Sequence, residues 1–304
     1  MPVTFTAVAD LVDAYLPTAD AGFDALLGGQ GLPLRGLTEL AGEAGSGKTQ
    51  LAMQLALRSV AARGGSALII NTEGPYPAQR LLEMARGLPG GEALAQRVKI
   101  ADVADASALQ AYVEQLPQAV ALHSLRLVIV DSVAGALRGD LAGGDAPERS
   151  QRLFALAAAL LRVNAETGCG VLAINQVSDV VEGGAGGAGT AAALAASALA
   201  GARCVPRLLC AYSVAGGRWL RPALGLSWDA ACTHRLLMVL AAERSSGGGG
   251  GGGGEAGSDA AAAAAAVGTL RTIFLLSSPA LPAAALHYRI TAAGLVSVGG
   301  VSAV

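Results

Sequence analysis

Lysine is nearly missing from this 304-residue chain: only Lys48 and Lys99 occur, against nineteen arginines. Aromatic residues make up 4% and charged residues 14%, the latter well below the roughly 25% of ordinary soluble domains. The scarcity of charge does not amount to a membrane span. The longest uncharged stretches are built of Ala and Gly, and between Gly183 and Ala202 the only large apolar side chains are Leu194 and Leu199, too few to hold a helix in lipid. The cysteines (Cys169, Cys204, Cys210 and Cys232) form no CxxC pair and no disulfide-like density, which points to a reducing compartment. No basic residue precedes Arg35, while Asp10, Asp13, Asp20 and Asp24 are present, which argues against a secretory signal or an Arg-rich transit peptide. With a net charge of −2 there is no global basic field, so any contact with nucleic acid has to be local. His123, His234 and His287 have no spacing or carboxylate pairing that suggests catalysis or metal binding.

What is present is an alternation of short apolar runs with helical patterns. Strands are predicted at 37–41, 67–70, 125–130 and 170–174, and helices at 48–62, near 77–86, at 107–120 and at 150–166. Such alternation implies right-handed crossovers and a largely parallel, twisted α/β sheet flanked by helices. The tail differs: 235–242, 270–277 and 288–291 read as consecutive strands, an antiparallel C-terminal extension. The chain divides into a short N-terminal tail, 1–17, and one core, 18–304. Two low-complexity Gly/Ala inserts, at about 183–204 and 245–268, interrupt the core and are expected to be poorly ordered loops.

Gly42-Glu43-Ala44-Gly45-Ser46-Gly47-Lys48-Thr49 fits GxxxxGK[ST] and lies between a predicted strand and a predicted helix, the context that a phosphate-binding loop requires. Its glycines let backbone N–H groups surround phosphates at the positive end of the following helix. Lys48 is placed to reach the β- and γ-phosphates, and the Thr49 hydroxyl to ligate Mg²⁺. Asp131 ends the apolar run LVIVD, where a carboxylate helps hold Mg²⁺, and its strand is expected adjacent to the phosphate loop. Glu73 ends the second strand, where a carboxylate can orient the attacking water. Gln176 ends the fourth, where an amide can sense the γ-phosphate. From Gly183 to Trp228 there are no acids, while Arg203, Arg207, Arg218, Trp219 and Arg221 are present with Tyr212, a combination suited to single-strand backbone contact and base stacking.

Together the phosphate loop GKTQL, the TEG tripeptide at Thr72-Glu73-Gly74, LVIVDS and INQV follow the order of the RecA recombinase family, which this sequence resembles. Segments 25–29 (ALLGG), 31–42 (GLPLRGLTELAG), 222–228 (PALGLSW) and 278–282 (SPALP) narrow the resemblance to the eukaryotic accessory paralogues, the X-ray repair cross-complementing type. It covers about 17–296 outside the inserts. The resemblance implies a RecA-like ATPase core that binds ATP and Mg²⁺ and acts in homologous recombination. It matches Lys48, Thr49 and the adjoining Gln50 to the nucleotide loop, Glu73 to the catalytic carboxylate, Asp131 to the second acidic motif, Gln176 to the phosphate sensor and Arg80 to an arginine stacking on adenine. Loops 132–150 and 178–221 match those that approach DNA.

By the same resemblance the partners are single-stranded and branched DNA, the C-type recombinase paralogue and the main recombinase, with no membrane, and the place of action is the nucleus. Family members usually carry an N-terminal helical region, whereas only about twenty residues precede the core in this sequence. Phe5-Thr6-Ala7-Val8 carries valine where the neighbour-docking motif ends in alanine, so self-polymerisation is not expected. A nucleotide-gated adaptor with little or no hydrolysis stands as the alternative. A P-loop kinase is more distant, since no acceptor site is legible.

Overall fold

A computed structural model describes residues 14–138, 146–179, 212–214, 218–240 and 269–304. At its start β1 (Tyr15–Leu16), α1 (Ala21–Leu26) and β2 (Leu32–Pro33) form a small unit in which β1 and β2 pair antiparallel. Asp20 caps α1 by accepting from the N–H groups of Gly22 and Phe23, both at 3.0 Å. Then come β3 (Leu37–Gly42), α2 (Lys48–Arg63), β4 (Ser66–Asn71), α3 (Ala78–Arg86), α4 (Gly91–Gln96), β5 (Val98–Asp102), α5 (Ala106–His123), β6 (Leu125–Asp131), α6 (Val133–Ala136), α7 (Ala146–Thr167) and β7 (Gly170–Asp179). The chain continues through β8 (Tyr212–Val214), β9 (Arg218–Pro222), α8 (Gly225–Asp229), β10 (His234–Leu240), β11 (Arg271–Ser277), β12 (Ala284–Thr291) and β13 (Gly294–Ala303).

These strands form one sheet in the order β13-β12-β11-β10-β3-β7-β6-β4-β5, with β9 paired to the far end of β7 and β8 to β9. The run from β10 to β5 is parallel, and antiparallel pairing begins at β11. The predicted class and every predicted strand are therefore present. Both faces of the parallel strands are buried, which is why they read as continuous apolar runs rather than alternating ones. Ile69, Ile129 and Ile174 point into a core under α2, whereas Ile70, Val130 and Ala173 point into a second core under α5, α7 and α8. The elements missed in the sequence lack that signal. β5 is an edge strand in which only Val98 is buried, and β13 is largely exposed.

The strand carrying Asp131 does not pair with the phosphate-loop strand: β7 lies between β3 and β6, pairing with both. The order of strands is set by crossovers after α2 and α7, which no local pattern encodes. The insertion has a consequence for the site, because it puts Gln176 between the phosphate loop and Asp131. Both low-complexity inserts lie outside the described residues, and no described helix is long and apolar enough to cross a membrane.

Below the site, the sheet buries a charged network. Glu39 on β3 accepts from Asn175 Nδ2 at 2.7 Å and from Arg235 Nε at 2.8 Å, and Arg235 also pairs with Asp229. Burial pushes the Glu39 carboxyl up, opposed by the Arg235 charge and the Asn175 hydrogen bond.

Candidate functional site

The phosphate loop forms where β3 ends and α2 begins. Gly42 is required by close approach: a Cβ there would lie 2.4 Å from the Met238 carbonyl on β10. Gly47, at φ +99°, turns the chain into α2 in the left-handed region, and a Cβ there would meet the Ile290 side chain at 2.7 Å. No side chain caps α2, so its first N–H groups face outward at the positive end of the helix. The loop's own carbonyls are braced from the C-terminal strands. Tyr288 Oη donates to Ser46 O at 2.6 Å, and Arg271 Nε donates to Gly45 O at 3.2 Å.

Lys48 lies within the loop and donates through Nζ to the carbonyls of Gly42 and Glu43, both at 2.8 Å. Burial draws its ammonium below the ordinary value, while the charges of Asp131, Glu73 and Glu43 act in the opposite direction. Asp131 is buried at the end of β6, which raises its pKa, while the neighbouring Thr49 hydroxyl acts in the opposite direction. Both residues line one cleft of about 640 Å³ together with Gly45, Gly47, Gln50, Glu73, Arg80 and Arg271. Free helix N-terminal donors, a buried ammonium and a hydroxyl–carboxylate pair suit a polyphosphate with its divalent cation. The buried Ser46 Oγ, which has no hydrogen-bond partner, adds a polar group to the same loop.

Glu73 is oriented by three donors on one oxygen. Its Oε1 accepts from the Ser132 hydroxyl, from Gln176 Nε2 at 2.6 Å and from the Arg138 guanidinium at 3.4 Å. Ser132 is itself held, since its Oγ accepts from Gly135 N at 2.9 Å. Thr72 Oγ1 donates to Ser132 O at 2.6 Å and accepts from Ser132 N at 3.0 Å, which ties the tips of β4 and β6 together. The peptide joining Asp131 to Ser132 is cis. Arg80 donates to Gln50 Oε1 at 3.0 and 3.1 Å and to the carbonyls of Thr291 and Ala292, anchoring α3 to the turn between β12 and β13.

Comparison with known proteins adds the family. The sequence pattern of the Rad51 family matches residues 13–199. The chain belongs to the Rad51 family. Among curated relatives, DNA repair protein XRCC3 of Bos taurus is 31% identical over 294 residues, 91% of this chain and 73% of that protein. DNA repair protein RAD57 of Saccharomyces cerevisiae is 33% identical over 53% of this chain and 38% of its own length. DNA repair and recombination protein RadA of Cenarchaeum symbiosum is 31% identical over 54% of this chain and 42% of its own length. The crystal structure of the RadB recombinase covers 93% of this chain and all of that chain, with a TM-score of 0.62 and 22% identity, a likeness of fold.

In this Rad51-family chain the structure brings Lys48, Thr49, Gln50, Glu73, Arg80 and Asp131 to one cleft, with Gln176 at its edge through Glu73. The residues proposed for DNA lie only partly within the described residues. Arg203 and Arg207 lie outside the described residues, Arg218 and Trp219 are described only in the backbone of β9, and Arg221 is exposed on β9 opposite Ser178. Sequence reasoning missed Ser132, Arg138, Arg271 and Tyr288. Ser132 was legible as the residue following Asp131. The others had no local signal, because their partners are distant in sequence.

Proposed function

We propose that the chain is an Mg²⁺·ATP-binding recombinase paralogue that acts in homologous-recombination repair of DNA double-strand breaks and crosslinks. It would assist the main recombinase on single-stranded or branched DNA, in the nucleus, within a complex that includes the C-type paralogue. The observation that carries the reading is the convergence of Lys48, Thr49, Asp131, Glu73 and Gln176 from three strand ends and one helix start. Thr49 and Asp131 would hold Mg²⁺, which when bound supplies charge stabilisation to the phosphates. Lys48 would bind the β- and γ-phosphates. Glu73, with Oε1 anchored, would present its other oxygen to orient water in line with the terminal phosphate, and Gln176 would report on that phosphate through its bond to the same carboxylate. The extent 18–304 is taken as one ATPase core preceded by a tail.

Two variants test this. Lys48→Ala is expected to weaken binding of a fluorescent ATP analogue by at least about tenfold, since charge-assisted contacts are lost. Glu73→Gln is expected to bind nucleotide normally and to lose on the order of 100-fold or more in hydrolysis. Hydrolysis by Glu73→Gln at the wild-type rate would remove Glu73 from the catalytic role. A second reading, the nucleotide-gated adaptor, is favoured by the three donors already occupying Glu73 Oε1. It would be supported by repair that survives Glu73→Gln and fails in Lys48→Ala.

A further inference from the structure

Tyr76 Oη is shielded from solvent and has no hydrogen-bond partner among the described residues. A buried hydroxyl left in that state has lost its hydration without compensation, so its presence asks for an acceptor. The residue lines the nucleotide cleft together with Lys48, Thr49, Glu73 and Asp131. Its ring packs against the core under α2. Burial, and then the charge of Asp131, push the phenol above its ordinary range, so it stands as an O–H donor beside a carboxylate. The backbone that carries it is restrained. Pro75 and Pro77 fix φ on either side, Ala78 N donates to the Tyr76 carbonyl at 2.8 Å, and Asn71 Nδ2 donates to the Gly74 carbonyl at 2.7 Å. In the protein alone the Asp131 carboxylate is drawn by the Thr49 hydroxyl and the Lys48 charge. Taking a cation changes that balance, and a second donor at the carboxylate then sets which oxygen faces the metal.

We propose that Tyr76 is a positioning residue for the divalent cation: its hydroxyl donates to Asp131 when that carboxylate takes the cation, and so fixes the orientation of the ligating group. The inference rests on the reading of the cleft as an Mg²⁺·nucleotide site. In this role Tyr76 touches neither cation nor nucleotide and acts through Asp131. Hydrogen bonds of this kind are long in the free protein and tighten when the site fills, which a small side-chain adjustment of the phenol allows.

Tyr76→Phe, made in the full chain, removes the hydroxyl and keeps the ring. Binding of a fluorescent ADP analogue is followed by anisotropy during a Mg²⁺ titration and again in EDTA. The apparent Mg²⁺ affinity is expected to fall about tenfold, with nucleotide affinity in EDTA within about twofold of wild type. In an Asp131→Asn background the same substitution should cost less than about twofold, because the hydroxyl acts through that carboxylate. Thermal unfolding of the nucleotide-free protein supplies a readout that a purely structural hydroxyl would move the other way. With no partner to lose, Tyr76→Phe should melt at the wild-type temperature or up to about 3 °C above it. Unchanged Mg²⁺ affinity would overturn the proposal, as would a melting temperature lowered by more than about 3 °C. An equal loss with and without Mg²⁺ would also overturn it, by moving the acceptor to the phosphates. Wild-type protein that shows no Mg²⁺-dependent ADP binding would overturn the reading of the cleft and this inference with it. Wild-type binding that Tyr76→Phe shares unchanged would overturn this inference alone.

Discussion

Glu73 shows how little room the site leaves for error. Its Cγ and Oε1 stand against Gly135, where an added Cβ would lie 2.6 Å from Glu73 Cγ and 2.7 Å from Thr72 Oγ1. Gly135 has no need of the left-handed region, so it is glycine for space alone. Gly135→Ala is therefore expected to displace the carboxylate by a few tenths of an ångström to an ångström. Hydrolysis should fall by about 100-fold, with nucleotide affinity within about twofold of wild type. Single-turnover hydrolysis alongside equilibrium ATP binding checks this, and unchanged hydrolysis would show that Glu73 has slack the packing does not suggest. The near-absence of lysine also acquires a reason at this scale. Arginine serves nearly everywhere else, but inside the phosphate loop a compact ammonium can reach the Gly42 and Glu43 carbonyls where a planar fork would not fit.

Among the elements, β3, β7 and β10 act as a set. Each contributes to the buried network: Glu39 from β3, Asn175 from β7 and Arg235 from β10, with Asp229 closing it from α8. Asn175 directly precedes Gln176, so the network ties down the strand that carries Gln176 beside the loop. Replacing Arg235 leaves two buried carboxylates without their cation. Arg235→Ala is expected to cost about 3–5 kcal/mol of stability by denaturant unfolding. A loss below about 1 kcal/mol would mean that water or protonation compensates the acids. None of this network was legible in the sequence, where Glu39 and Arg235 sit in otherwise apolar strands with nothing to mark them as partners. Charge pairing across 196 positions has no local pattern.

At the scale of the whole molecule, the Gly/Ala segment between β10 and β11 is expected to be dispensable to the sheet. Leu240 and Arg271 are register partners, so the hairpin closes on itself whatever joins them. Deleting residues 247–266 shortens the connection about threefold, which on loop-closure entropy alone favours folding by about 1 kcal/mol. Thermal unfolding and ATP binding are expected to stay at wild-type values or to improve slightly. A drop in melting temperature of more than a few degrees would show that the segment packs on the core.

The sequence by itself determined the features whose causes are local. The glycine loop, Lys48 and Thr49 follow from contiguous backbone geometry, and the strand–helix alternation from apolar period and burial on both faces. Glu73, Asp131 and Gln176 were readable because each ends an apolar run, where a parallel strand delivers its last side chain to the rim of the sheet. Tertiary structure alone decided how those rims are ordered. It set β7 between β3 and β6, joined Gln176 and Arg138 to one oxygen of Glu73, and braced the phosphate loop with Arg271 and Tyr288 from more than 200 positions away. The physical reason is the same in each case. Strand order and cross-sheet contacts come from how crossovers pack, and a hydrogen bond between distant residues leaves no period in the chain that forms it.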